Sequence, residues 1–294
     1  MMYKKSLGSK IFDVFNCIFM LGIILVTVYP IYYVFVCSVS DSSSLIGARG
    51  LKLVPSGFNI NAYKAVFSNP NIFTGYRVTL FVVVSGTVLS VMATAIGAFL
   101  ITRRDFKIRK IMSYMMVFTM YFSGGMIPTY LMVYKWLHLG DSLWALILPV
   151  LISTYILLIM KANFEALPPS LEEAAKIDGA NDILILFRIV LPLSLPVIAV
   201  MFLYYGVSYW NSWFTAMMYM RDRNKFPLQL VLREILLSND TTAMDAGGSA
   251  GDKYAIGESI KYSTIVVATV PILCLYPFIQ KYFVKGVMVG AVKG

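Results

Sequence analysis

The densest chemistry in this chain lies in one short polar stretch, Glu173-Ala174-Ala175-Lys176-Ile177-Asp178-Gly179, with Ile189-Val190-Leu191-Pro192 following ten residues after Gly179. The chemistry on offer is recognition, not bond making. A carboxylate at Glu173 can pair with a basic group on a partner. Ala174 and Ala175 are strong helix formers with little bulk, so a partner surface can approach closely. Asp178 and Gly179 close the segment, because Gly179 permits the positive φ that ends a helix. Upstream, Pro168-Pro169-Ser170 opens it, with Ser170 placed as N-cap and Glu173 at the third helical position, a capping-box spacing. Glu172 and Glu173 suit the positive end of the helix dipole. Ala180-Asn181-Asp182 then starts a second short helix with Ile183, Leu184 and Phe187 as its apolar face. The stretch from about 161 to 191 reads as a helical hairpin for docking. The alternative is an amphipathic hairpin that lies on a membrane surface and docks nothing.

Other reactive chemistry is sparse. The one histidine, His138, falls in a turn and reads as a surface residue. Cys17, Cys37 and Cys274 are scattered and form neither a metal-ligand nor a disulfide pattern. No Gly-x-x-x-x-Gly-Lys-Ser/Thr loop occurs. We therefore expect no catalytic residue, no metal and no cofactor bound by this chain.

The surroundings of the hairpin are apolar. Hydrophobic residues make up 59% of the 294, and charged residues 14%, against about 25% charged in an ordinary soluble domain. Membrane helices need about 20 mostly apolar residues. Six runs qualify, at about 11–39, 78–101, 111–137, 143–160, 193–220 and 263–284. None alternates as a barrel strand does. The expected fold is an all-α integral membrane protein, one domain over 1–294, with six transmembrane helices and the hairpin between the fourth and fifth. Pro30, Gly124, Gly125, Pro128, Pro271 and Pro277 interrupt the runs and predict kinks. Gly86, Ser90, Ala93 and Gly97 recur at helical spacing in the second run. That stripe predicts close helix packing.

Charge sets the orientation. Lys4, Lys5 and Lys10 precede the first run, and Arg103, Arg104, Lys107, Arg109 and Lys110 crowd the second connection. By the positive-inside rule these segments are cytoplasmic. The hairpin and both termini then fall on the same side. The basic stretch and apolar run at the N-terminus exceed a signal-peptide core, and we read an uncleaved first span. The net charge of +10 suits contact with anionic lipid and does not point to nucleic acid, since the basic residues sit at membrane boundaries. Acidic residues are nearly absent from the runs, and ion-coupled carriers and pumps usually place ionisable groups at mid-membrane. Energy must then come from a partner.

The spaced pattern of Glu173, Ala174, Ala175, Gly179, Ile189, Leu191 and Pro192 resembles the signature of the membrane subunits of binding-protein-dependent ABC importers. The six-run layout, the lead-in Phe164-Glu165-Ala166-Leu167-Pro168 and the tail from Gln280 to Gly294 look like the smaller permease of the maltose-type carbohydrate subfamily. The resemblance implies two permease chains, a separate ATPase dimer that carries ATP and Mg, and an extracytoplasmic solute-binding protein. It places the chain in the cytoplasmic membrane of a prokaryote. It implies that Glu173, Ala174, Ala175, Asp178, Gly179, Ile189, Leu191 and Pro192 form the coupling element, with Glu173 paired to a basic group of the ATPase. Gly290, Lys293 and Gly294 would make a second ATPase contact, and the outer loop at about 239–253 would reach the binding protein.

Substrate residues are less sharply marked. Tyr204, Tyr205, Ser208, Tyr209 and Asn211 could stack on and hydrogen-bond a sugar, or could form an aromatic belt at the membrane boundary. The expected function is ATP-driven import of a carbohydrate, an oligosaccharide. The alternatives are a permease for a peptide or amino acid, and a membrane receptor that uses the hairpin only to dock.

Overall fold

The computed structural model describes residues 7–45, 50–103, 105–237, 257, 259–274 and 277. Their regular secondary structure is helical, with no strand among the described residues. In chain order the helices are α1 (Leu7–Ser38), α2 (Asn61–Ser68), α3 (Pro70–Thr102), α4 (Arg109–Tyr121), α5 (Met126–Leu131), α6 (Thr154–Glu165), α7 (Pro169–Ile177), α8 (Asp182–Ile185), α9 (Leu191–Leu193), α10 (Leu195–Trp210), α11 (Trp213–Tyr219), α12 (Leu228–Leu237) and α13 (Ser259–Cys274).

Two of the six expected spans are unbroken helices. These are α1, with Pro30 inside it, and α3, which starts at Pro70, earlier than its apolar run suggests. Three others are bent pairs. α4 meets the Met126–Trp136 segment at 115°, across a break that holds Gly124 and Gly125. Short turns over Leu143–Val150 meet α6 at 50°, and Asp182–Leu193 meets α10 at 85°. The sixth is described only as α13, and the rest of its run lies outside the described residues. The kink expected at Gly124-Gly125 is present, while the breaks before α6 and α10 fall in runs for which no kink was expected. Apolar composition measures how much chain suits lipid, whereas glycine and proline decide where the backbone turns.

The chain divides into two units. One holds α1, α2 and most of α13. Its packing gathers at the last turns of α1, where Val36, Cys37 and Ser38 are buried. There the Ser38 and Tyr63 hydroxyls lie 2.6 Å apart, and Ser263 Oγ donates to the Ser38 carbonyl at 3.2 Å. On α13, Ser259, Ile260, Ser263, Thr264, Val267 and Ala268 form the buried stripe. The apolar window of α1 buries nothing in the chain. It is a surface suited to lipid or another chain.

The other unit runs from α3 through most of α12 and is built around α3, which packs on α10 and α6. Small and hydroxyl residues on α3 make the close contacts. A Cβ added at Gly86 would lie 2.8 Å from the Tyr209 ring, and one at Gly97 would lie 3.1 Å from Leu157. Ser90 bonds Tyr209 at 2.8 Å and Thr94 bonds Tyr205 at 2.7 Å, all four buried. The packing stripe expected from the sequence is thus present, with Thr94 in the place given to Ala93. Tyr205 Oη also accepts the Ser153 N–H at 3.0 Å, which ties the break before α6 to the same seam.

A second fixed point joins the turn after His138 to the segment after α11. Asp141 accepts N–H bonds from Arg221 and Asp222 at 3.0 and 3.1 Å and pairs with Lys225 at 2.9 Å. The two backbone donors, and then the ammonium, hold its carboxyl at about 2, well below the usual aspartate range. A lowered pKa means the ionised form stabilises the fold. That contribution is complete above about pH 4 and is lost as the pH falls through about 2. Thermal unfolding of the wild type and Asp141→Ala should differ by a constant margin above about pH 4 and converge toward about pH 2. A margin that does not change with pH would show that the ionised carboxylate contributes nothing.

Candidate functional site

The hairpin hangs from the end of α6. Ala166 N–H bonds the Ala162 and Asn163 carbonyls, and Leu167 N–H bonds Phe164, which closes α6 just before the two prolines. Pro168 is the N-cap of α7 and Pro169 its first residue. This corrects the expected start. Ser170 is not the cap and no side-chain cap bond forms. Proline suits the first helical position, because its missing N–H would have had no helical partner and its φ is already helical.

The C-terminal end is a complete Schellman turn. Ala180 N–H bonds the Ala175 carbonyl at 2.9 Å, and Gly179 N–H bonds Lys176 at 3.1 Å. Asp178 is the C-cap, and Gly179 takes φ +81. No atom lies within 4 Å of where a Cβ would sit on Gly179. The glycine therefore answers to backbone conformation alone, where an ordinary L-residue costs about 1–2 kcal/mol. Gly179→Val should speed hydrogen exchange at the Gly179 and Ala180 amides, while Gly179→Asn, which tolerates this conformation, should change it much less. Equal exchange in both variants would contradict the assignment.

Asn181 caps α8, its side-chain oxygen accepting the Leu184 N–H at 2.8 Å. α8 runs into a π-turn over Leu186–Val190 and then α9. Ile185, Leu186 and Val190 are the residues turned into the core, in one buried cluster with Ala175, Phe164, Phe99 and Ile101. Ile189 and Leu191 are partly buried against that cluster, and Pro192 is exposed. The expected apolar face is therefore corrected. Ile183, Leu184 and Phe187 are exposed, because they fall on the opposite side of the short helix.

The coupling residues divide by face. Glu173 and Ala174 are exposed, and Glu173 has no partner among the described residues. Ala175 is buried in the chain's own core, so it seats the hairpin and is not itself open to a partner. Beside Glu173 and Ala174 on the chain, Ile177 is 87% and Ile183 70% exposed, both far outside the norm for isoleucine in a finished core. The exposed residues of the hairpin thus include one open carboxylate, one small alanine and two bare isoleucines.

Alongside α7 lies a cleft of about 470 Å³ lined by Arg103, Asp105, Arg109, Phe164, Glu172, Glu173 and Lys176 among others. Glu172 is bonded there by Arg103, and Lys176 lies 3.8 Å from Asp105. Sequence alone does not reveal this pair: Arg103 reads there as a topology-setting charge, and its place at the end of an apolar run is the signal that marks it.

The five expected substrate-path residues separate along α10 and its C-cap, Asn211. Tyr205 and Tyr209 are buried, with hydroxyls bonded to Thr94, Ser153 and Ser90. In this chain they serve the seam between α3 and α10. Tyr204, Ser208 and Asn211 are exposed and share one face at helical spacing. Gly290, Lys293 and Gly294, and the loop at 239–253, lie outside the described residues. No cluster of metal-ligating side chains occurs among the described residues.

Residues 86–289 match the binding-protein-dependent transport system inner membrane component family. The chain belongs to that family. It is a membrane-embedded transport component, not an enzyme. The permease is 43% identical, over 97% of its length and 99% of the relative, to the polygalacturonan/rhamnogalacturonan transport system permease protein YtcP of Bacillus subtilis (strain 168). It is 25% identical, over the full length of both, to the arabinooligosaccharides transport system permease protein AraQ of the same organism. Its fold matches a chain in the crystal structure of a bacterial ABC transporter involved in import of the acidic polysaccharide alginate. That match has a TM-score of 0.84 at 30% identity and covers 95% of this permease and 99% of the other chain.

Proposed function

We propose that this permease imports an oligosaccharide as one of two membrane subunits driven by a separate ATPase dimer and fed by an extracytoplasmic binding protein. The full-length likeness to permeases named for polygalacturonan/rhamnogalacturonan and arabinooligosaccharides carries this reading. Uronate-containing oligosaccharides are the first substrates to test, given the relatives named for polygalacturonan and alginate. Six spans, with both termini and the hairpin in the cytoplasm, fit the charge pattern. ATP and Mg reside on the ATPase.

In this reading α7 seats in a cleft of the ATPase. Glu173 meets a basic group there, Ala174 leaves room for close approach, and Ile177 and Ile183 are covered by the partner. Gly179 fixes the turn, and Ala175, Ile189 and Leu191 hold the hairpin to the permease so that it moves as a unit. Pro192 starts the return into the membrane. Gly290, Lys293 and Gly294 add a tail contact. Solute passes the exposed face of α10 that carries Tyr204, Ser208 and Asn211.

Co-purification and reconstituted uptake test the proposal. The chain should bring down a second permease and an ATPase, and vesicles holding the assembly and a binding protein should import labelled oligogalacturonide on addition of ATP. Import of a peptide or amino acid but no sugar would overturn the substrate class. Isolation without any ATPase would overturn the importer assignment.

A further inference from the structure

Arg103 follows directly on the last residue of α3. Its guanidinium stacks 3.8 Å from the Phe99 ring centroid, and its side chain is only 10% exposed. Nη1 donates to Glu172 Oε2 of α7 at 2.5 Å. Nε and Nη2 are buried with no partner among the described residues. The other ionic tie between these segments, Lys176 to Asp105, is 3.8 Å long with side chains 48% and 90% exposed. Water and salt weaken a pair of that kind until it holds almost nothing. The Arg103–Glu172 tie is the better shielded of the two, with side chains 10% and 35% exposed.

We propose that Arg103 is a positioning residue for coupling, which fastens α7 to the end of α3 through Glu172. Movement of the hairpin then reaches α3, and passes to α10 through the Ser90–Tyr209 and Thr94–Tyr205 bonds. The tandem glutamates divide the work, Glu172 bonded inward to the permease and Glu173 open to the partner. The guanidinium uses one nitrogen on Glu172 and leaves its Nε/Nη2 edge unmatched. The inference rests on reading α7 as the element that docks the ATPase.

The test uses the reconstituted assembly and two readouts, the amount of ATPase bound and the solute imported per ATP hydrolysed. Arg103→Gln should retain the ATPase yet import roughly tenfold less per ATP, a size typical of coupling between sites. Arg103→Lys keeps the charge but loses the planar stack on Phe99, and should fall between the two. The exchange of Arg103→Glu with Glu172→Arg should recover most of the loss, which also answers the case in which Arg103→Gln simply fails to assemble. Unchanged import per ATP in Arg103→Gln, or no recovery in the exchanged pair, overturns the proposal. If Glu173→Lys binds ATPase and imports like the wild type, the docking reading fails instead, and the role of Arg103 fails with it.

Discussion

Reversing Glu173 to lysine is expected to stop ATP-driven uptake while leaving the permease folded. The side chain is exposed and has no partner among the described residues, so its loss removes no internal contact. Surface changes of this kind usually move stability by less than about 0.5 kcal/mol. At a docking surface the same change replaces attraction by repulsion against a basic group. Breaking a close charged contact at an interface costs about 2–5 kcal/mol, so ATPase binding should weaken on the order of a hundredfold. Co-purified ATPase and uptake into vesicles measure both ends of the effect. Uptake equal to wild type would remove Glu173 from the coupling surface. Glu172→Gln provides the contrast in ATPase binding, which it should leave unchanged while lowering import per ATP, since that carboxylate is engaged by Arg103.

Gly86→Leu is expected to give the largest loss of stability. The first added carbon already falls 2.8 Å from Cε2 and Cζ of Tyr209. The ring must leave, and with it goes the 2.8 Å bond to Ser90 inside the seam. Forcing extra carbons into a packed site costs about 1–3 kcal/mol, and leaving a buried hydroxyl without its partner adds about 1–3 kcal/mol. The melting point in detergent should fall by several degrees, and Tyr209→Ala in the same chain should recover part of it, because neighbouring sites do not add. A melting point unmoved by Gly86→Leu would mean that α3 and α10 do not approach this closely.

Much of the architecture is legible from where the apolar runs begin and end, and Gly124-Gly125 marks the right place for a break. The angle at that break is not legible, because a glycine pair permits many turns and tertiary packing selects among them. Faces were harder still. Tyr204 and Tyr205 are neighbours in an almost wholly apolar helix, so no polar–apolar contrast reveals which one points inward. The same holds for Ala174 and Ala175, which differ only in what surrounds them. The start of α7 turned on two prolines and a serine competing for the cap, and a shift of one residue rotates the glutamates by about 100°. Arg103 could be counted from sequence, but its partner lies 69 positions away, a contact that only the fold creates.

The seam between α3 and α10 has a mechanical meaning. Hydroxyl bonds cross it like rungs, the Gly86 contact leaves no slack, and Tyr205 clamps the break before α6 to the same block. Within this unit the break at Gly124-Gly125 is different. Gly125 holds φ +90 with no atom within 4 Å of a Cβ, and the hydrogen bonds around it are local ones, from its own N–H to Ser123 and from Thr129 to its carbonyl. α4, on one side of that break, buries none of its residues. The seam is thus the stiff part of this unit, and Gly124-Gly125 the place where the backbone carries least side-chain support, even though α4 beyond it still rests Met112 and Met116 against the core.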